Sequence, residues 1–303
     1  MTEFPVGPRG VVPSVLFIFF YALVVRADTL EDRLTTLAKA HSGTVAIAVK
    51  HLDTGETFFL NADEVLPTAS LIKFPVMLEF YMQVLEGKLK LDDMVTLKDA
   101  DKVTGSGILT YHFSEGATFS LRDAVRLMIV FSDNTATNLV LERIGIAATG
   151  KRMKAWGFPN TKIHAMVFKG STTSIDPEGS KKYGLGCTTA REMVGLLEKL
   201  HQGTLVSPQA CRDMVSHMKK CEDATKLKRL LPDKIEVAHK SGSVNDVKTD
   251  AGIMYLPTGP VAICVLTARN ADKSYKSDNA ANVLIGRIGK EVHDYFMREK
   301  EAK

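Results

Sequence analysis

Three short clusters along the 303-residue chain combine groups that can carry out acyl transfer. The first is Ser70-Leu71-Ile72-Lys73, at the head of an apolar stretch through Val76, Met77, Phe80, Tyr81, Val84 and Leu85. The stretch predicts a helix, and residues three apart on a helix share a face, so Ser70 and Lys73 point the same way. Burial moves a lysine towards its neutral amine, which can take the seryl proton and so activate the hydroxyl. At a helix start the Ser70 backbone N–H is also free to bind an oxyanion. The second cluster is Ser132-Asp133-Asn134, a polar link between helices predicted over 120–131 and 135–145, with Ser120 and Asp123 in capping-box positions. Such a link can set a hydroxyl and a carboxamide beside the nucleophile. The third is Lys240-Ser241-Gly242-Ser243, at the end of a strand predicted over 235–240. A cation, a hydroxyl and a glycine there can hold a carboxylate while the next backbone N–H completes an oxyanion hole. Each cluster alone also suits a structural job, the first two as helix caps and the third as a strand end with a turn. Their joint occurrence, each at an element boundary, favours chemistry.

The elements that must position these groups follow from periodicity. Residues 44–50 alternate β-branched and small side chains, Asp53-Thr54-Gly55 is turn chemistry, and 57–60 return as a second strand. Near the other end, 252–256 and 261–267 are strands around Pro257-Thr258-Gly259-Pro260. Helices predicted over 30–40 and 280–298 carry apolar residues at steps of three and four and would cover one sheet made from both ends. The stretch between shows several amphipathic helices and almost no strand pattern. The expected class is α/β: an antiparallel sheet flanked by terminal helices, with an inserted all-helical domain. Its parts are a discontinuous sheet domain over 28–66 and 232–303 and a helical domain over 67–231, with the active site between them. Residues 169–182 are poor in apolar side chains and read as a long surface loop.

With 45% apolar and 24% charged residues, the composition excludes disordered, collagen-like and polytopic membrane chains. The net charge of +4 is spread without a basic block, which argues against a nucleic-acid partner. A monomer acting on a small molecule is expected. Arg9 precedes an apolar run from Val11 to Val25, and Val25-Arg26-Ala27 ends it with a small residue. At ~1.5 Å per residue the run falls short of a ~30 Å hydrocarbon core, so 1–27 reads as a cleavable export signal, with an uncleaved anchor as the alternative. Export opens Cys187, Cys211, Cys221 and Cys264 to disulfides, but a core of this size needs no staple and Cys264 sits inside an apolar run. There is no His-x-x-x-His, Cys-x-x-Cys or Gly-x-Ser-x-Gly, so zinc-hydrolase and α/β-hydrolase chemistry lack their residues, and no cofactor is expected.

With its motifs in the order Ser70-Leu71-Ile72-Lys73, Ser132-Asp133-Asn134 and Lys240-Ser241-Gly242, the sequence resembles the class A β-lactamases and the wider penicillin-recognising serine hydrolases. The resemblance extends to Gly252-Ile253-Met254-Tyr255-Leu256-Pro257 and covers essentially the whole chain after residue 27. It implies a β-lactamase/transpeptidase-like fold and a β-lactam or acyl-D-Ala-D-Ala-like substrate. It further implies that Ser70 attacks the lactam carbonyl, Lys73 accepts or relays its proton, and Ser132, assisted by Lys240, protonates the departing nitrogen. Asn134 would bind the substrate's side-chain amide, Lys240 and Ser241 its carboxylate. The N–H groups of Ser70 and Ser243 would form the oxyanion hole, with Gly242 between the binding residues.

One departure bears on turnover. The family activates its hydrolytic water with a glutamate on the Ω-loop, and the corresponding stretch, 161–167, holds no carboxylate. Glu178 is out of register; it reads as a solvated turn residue unless a rearranged loop brings it or Asp176 to the water. The expectation is complete acylation machinery with slow deacylation. The alternatives are a D-Ala-D-Ala peptidase or esterase on the same scaffold, or a binding protein that stays acylated. Lys226 and Lys228 fall where some family members carry an arginine beside the substrate carboxylate, but a lysine cannot form the bidentate fork, and both are expected on solvated surface. Gly105-Ser106-Gly107 can line the cleft, and His239 is expected to be structural.

Overall fold

The computed structural model describes residues 1–5, 7 and 29–298. Most of the export signal predicted over 1–27 lies outside the described residues. Helix α1 (Leu30–Lys39) leads into strands β1 (Thr44–His51) and β2 (Thr57–Leu60). The middle of the chain supplies β3 (Leu66–Pro67), α2 (Lys73–Leu85), β4 (Met94–Thr96), α3 (Leu109–His112), β5 (Thr118–Ser120), α4 (Leu121–Val130) and α5 (Asn134–Ile144). It continues with α6 (Ile146–Ala155), β6 (Lys162–Ile163), α7 (Gly170–Thr173), α8 (Pro177–Tyr183), β7 (Gly186–Thr188), α9 (Ala190–His201) and α10 (Pro208–Lys219). Strands β8 (Glu236–Val244), β9 (Val247–Leu256) and β10 (Gly259–Ala268) and helix α11 (Ala280–Arg298) follow.

The main sheet has the order β2-β1-β10-β9-β8 and is antiparallel throughout. Its two sequence halves meet where β1 pairs with β10, Thr44 opposite Ala268 and His51 opposite Val261. Alternation along β1 decides what each face meets. Val45, Ile47 and Val49 face a core shared with Leu34 of α1 and Leu284, Ile288 and Val292 of α11. The small Ala46 and Ala48 face the helical body, in a core with Leu196 and Leu200 of α9. Helix α1 starts at a reciprocal cap, the Thr29 side chain accepting from the Asp32 N–H while the Asp32 carboxylate accepts from the Thr29 N–H. Burying each Leu, Ile or Val side chain in such layers contributes roughly 1.5–3 kcal/mol.

The α/β class with an antiparallel sheet under terminal helices is the one observed. Three local expectations are corrected. The helical middle also holds a three-stranded sheet, β3-β7-β6, and the pair β4-β5, strands too short to show a period of two. The stretch 169–182 is not an irregular loop: it contains α7 and most of α8. Asp176 caps α8 by accepting from the Gly179 N–H at 2.9 Å, and Pro177 stands in the first turn. Strand β8 does not end at Lys240 but runs to Val244, because Ser241, Gly242 and Ser243 stay in register with Asp250, Thr249 and Lys248 of β9.

Candidate active site

Ser70 lies in a 3₁₀ turn (Ala69–Ile72) that precedes α2, so the nucleophile sits one turn ahead of the α-helix proper. Ala69 before it holds φ of 46°, a left-handed conformation that costs a non-glycine residue energy and is kept by its surroundings. Strand β8 presses against this turn. A Cβ on Gly242 would lie 2.5 Å from the Thr68 carbonyl oxygen and 2.8 Å from the Leu71 nitrogen, so only glycine lets the strand approach so closely.

The cleft beside this contact has a volume of about 900 Å³. Seven of the eight residues singled out from sequence line it: Ser70, Ser132, Asn134, Lys240, Ser241, Gly242 and Ser243. The eighth, Lys73, is fully buried behind them. Its ammonium donates to the Ser132 carbonyl oxygen at 2.7 Å, to Asn134 Oδ1 at 2.7 Å and to Ser132 Oγ at 3.3 Å. Lys240, also fully buried, donates to Ser132 Oγ at 3.1 Å and to the Ser241 carbonyl oxygen at 2.7 Å. Ser132 Oγ is therefore held between two lysine nitrogens. Burial pushes the Lys73 amine well below the ordinary lysine range, the neighbouring Lys240 pushes the same way, and Asp133 opposes both. Burial lowers Lys240 too, although Cys221, Asp223 and Asp250 counter it. A buried amine biased to its neutral form beside a hydroxyl is a proton acceptor in waiting.

Asp133 is the structural pin of this wall. It is 1% exposed, caps α5 through Ala136 N–H at 2.8 Å, and accepts with its other oxygen from Ile108 N–H at 2.7 Å and Leu109 N–H at 2.9 Å. The loop wraps the carboxylate so tightly that a Cβ on Gly107, where φ is 118°, would lie 2.3 Å from Asp133 Cγ. Ser106 Oγ then donates to the Ser132 carbonyl oxygen at 2.7 Å. The Gly105 to Gly107 segment does line the cleft. Asn134 is 4% exposed, and its Nδ2 donates to the Thr104 carbonyl oxygen at 2.9 Å. Its amide thus ties α5 to Lys73 and to the loop.

The segment from Ala165 to Phe168 also lines the cleft. Asn138, on α5, clamps its backbone by accepting from Val167 N–H at 2.8 Å and donating to the Val167 carbonyl oxygen at 3.1 Å. The Val167 backbone is thus held through both its N–H and its carbonyl, and the side chain it carries is apolar. Glu178 is exposed on α8 and lines a separate shallow depression with Lys181, Lys182 and Tyr183; Asp176 is the α8 cap. Neither lines the cleft that holds Ser70.

Two lysines differ from the sequence expectation. Lys226 is 2% exposed and not solvated, because its ammonium pairs with Asp223 at 2.5 Å in the chain after α10; Lys228 is half-buried. His239 is structural in the sense expected: fully buried, its Nδ1 lies 2.9 Å from Asp250 Oδ1. Burial opposes its charge, but Asp250 and Cys221 push its pKa up to about 10. The four cysteines are buried and unbridged. Cys221 reaches the cleft wall, and although burial works against ionisation, His239 brings its thiol down to about 7. Asp223 and Cys221 carry no local sequence signal of a place in the cleft, and Asn138 none of its clamp on Val167; packing alone makes these contacts. Among the described residues, no cluster of His, Cys, Asp and Glu could hold a metal ion, and no helix is long and apolar enough to cross a membrane.

Comparison with known proteins gives a consistent picture. A profile described as the Beta-lactamase enzyme family matches residues 29–296. A β-lactamase of Bacteroides uniformis is 28% identical over 294 residues, covering 90% of this chain and 94% of its own. The crystal structure of a β-lactamase from Sphaerobacter thermophilus superimposes with a TM-score of 0.76 at 28% identity, over 88% of this chain and 96% of that one. A mutant of PBP-A, solved as an acyl-enzyme complex with penicillin G, superimposes with a TM-score of 0.77 at 26% identity, over 89% of this chain and 96% of that one.

Proposed function

Because the chain belongs to the β-lactamase enzyme family, and is a β-lactamase-like serine hydrolase, we propose that β-lactams acylate Ser70 and that the acyl-enzyme is released slowly. The observation that carries this reading is the fully buried Lys73, bonded to Ser132 and Asn134 and biased by burial and by Lys240 towards its neutral amine. In the acylation step Lys73 takes the proton of Ser70 as Oγ attacks the lactam carbonyl, and the N–H groups of Ser70 and Ser243 receive the developing oxyanion. Collapse breaks the lactam C–N bond. Ser132, held between Lys73 and Lys240, gives its proton to the nitrogen and is reprotonated from Lys73.

Release needs a water and a base, and the clamped Val167 offers none. Losing such a group costs about 10²–10⁴-fold in rate. That deficit favours, as a second reading, a D-Ala-D-Ala peptidase or esterase, or a binding protein that stays acylated; an acyl-enzyme with penicillin G is the state solved for the PBP-A mutant. The sequence of residues 1–27 supports action outside the cytoplasm. Intact-mass spectrometry during incubation with benzylpenicillin tests the reading. A covalent adduct that outlives the free drug, and is absent in Ser70→Ala, is expected; no adduct on the wild type refutes it.

A further inference from the structure

The corner of the cleft expected to receive a substrate carboxylate already holds one. Asp223 lines the cleft, and its Oδ2 accepts from Ser241 Oγ at 2.6 Å and from Lys226 Nζ at 2.5 Å. Its Oδ1 accepts from the N–H of Thr225 at 2.9 Å and from the Thr225 hydroxyl at 2.6 Å. Both donors to Oδ2 are sunk in the protein, Ser241 at 5% and Lys226 at 2% exposure, whereas the Asp223 side chain is 25% exposed. Lys226 does not reach the cleft lining; the aspartate stands in front of it. Burial opposes ionisation of Asp223, yet the Lys226 ammonium and the Ser241 and Thr225 donors hold its carboxyl well below the usual carboxylate range. It is an anion across the neutral range. Lys240 is meanwhile engaged with Ser132 Oγ and the Ser241 carbonyl oxygen.

Resting on the acyl transfer at Ser70 proposed above, the geometry points to Asp223 as a specificity-determining residue. It is an internal carboxylate seated on the anion-receiving donors, and it turns the site towards acyl donors that are neutral or cationic at that position. A free substrate carboxylate arriving there finds the Ser241 hydroxyl occupied and meets a like charge in a poorly solvated corner. Like-charge juxtaposition is among the strongest ways to exclude a wrong partner. An ester, an amide or a peptide that continues past the scissile bond brings no such charge, and a cationic group gains a partner in the exposed part of Asp223.

The test compares Ser70 adduct formation, followed by intact mass, for benzylpenicillin and its neutral methyl ester on the wild type, Asp223→Asn and Asp223→Gly. The wild type is expected to acylate faster with the ester than with the free acid. In both variants the ratio of the two rates should move towards the free acid by about tenfold or more. A wild type that prefers the free acid, or a ratio unchanged in both variants, overturns the assignment. If the variants fail to fold, the wild-type preference decides alone. Absence of adduct from either compound on the wild type refutes acyl transfer at Ser70 itself, an outcome distinct from a wrong preference.

Discussion

Asp133 offers a sharp test of how the cleft is held together. If it served only as the N-cap of α5, Asp133→Asn would be almost neutral, since Asn and Asp cap helices about equally well. The structure requires more of it, because one oxygen caps Ala136 while the other accepts from Ile108 and Leu109. Asparagine can keep one of these two sides; on the other its NH₂ group would face N–H donors. Leaving a buried donor without a partner costs about 1–3 kcal/mol, so Asp133→Asn, which orphans at least the Ala136 donor, should lose about 1–3 kcal/mol and Asp133→Ala, with three donors orphaned, about 3–9 kcal/mol. Urea titration followed by fluorescence and by circular dichroism measures both, with an unchanged slope showing that compactness is retained. The same variants should form the penicillin adduct more slowly, since the 105–109 loop and Ser132 lose their common anchor. Removing the Asp133 charge also takes away a group that favours protonated Lys73, so the acid limb of any residual acylation should move to lower pH. An Asp133→Asn protein within about 0.5 kcal/mol of the wild type would refute the pin and leave a simple cap.

Val167→Glu should place a carboxylate on the wall that Asn138 clamps and speed return of the free-enzyme mass after penicillin by about 10²-fold or more. An adduct lifetime unchanged at both pH 7 and pH 9 would exclude that wall as the site of the missing base. His217, 6% exposed with its Nε2 3.1 Å from the Tyr81 hydroxyl, is held down to about 4 by burial and by Arg126, against an ordinary value of 6.5. The unfolded chain thus takes up this proton before the folded one. Stability should fall as pH drops from about 6.5 to about 4, by at most about 3 kcal/mol from this group. In His217→Gln the slope of unfolding free energy against pH should flatten over that window; an identical slope would mean that His217 is not buried as a neutral imidazole.

What could be read from the sequence is what short segments encode. The steps of three and four in 280–298 and the alternation in 44–50 are set within a few residues, and α11 and β1 follow them. Ser120 and Thr29 cap their helices through backbone groups three residues away, an equally local matter. Ser70, Ser132 and Lys240 could be recognised because each motif carries its residue types at fixed spacing on one element. The 169–182 stretch misled because short, cap-driven helices such as α8 expose most of their surface and leave no apolar stripe to read.

By itself, then, the sequence determined the fold class and the three clusters able to perform acyl transfer, since periodicity, capping and motif spacing act within one element at a time. Only the tertiary structure decided what surrounds them. Asn138 lies 29 residues from Val167 in the chain and Asp223 lies 18 from Ser241, and packing makes each pair neighbours. Sequence places Lys226 in solvent, yet it is buried, and its charge is compensated there by the ion pair with the partly exposed Asp223. The chemistry of attack is thus written in local spacing. What the site admits, and how fast it lets go, depends on long-range contacts that no local pattern encodes.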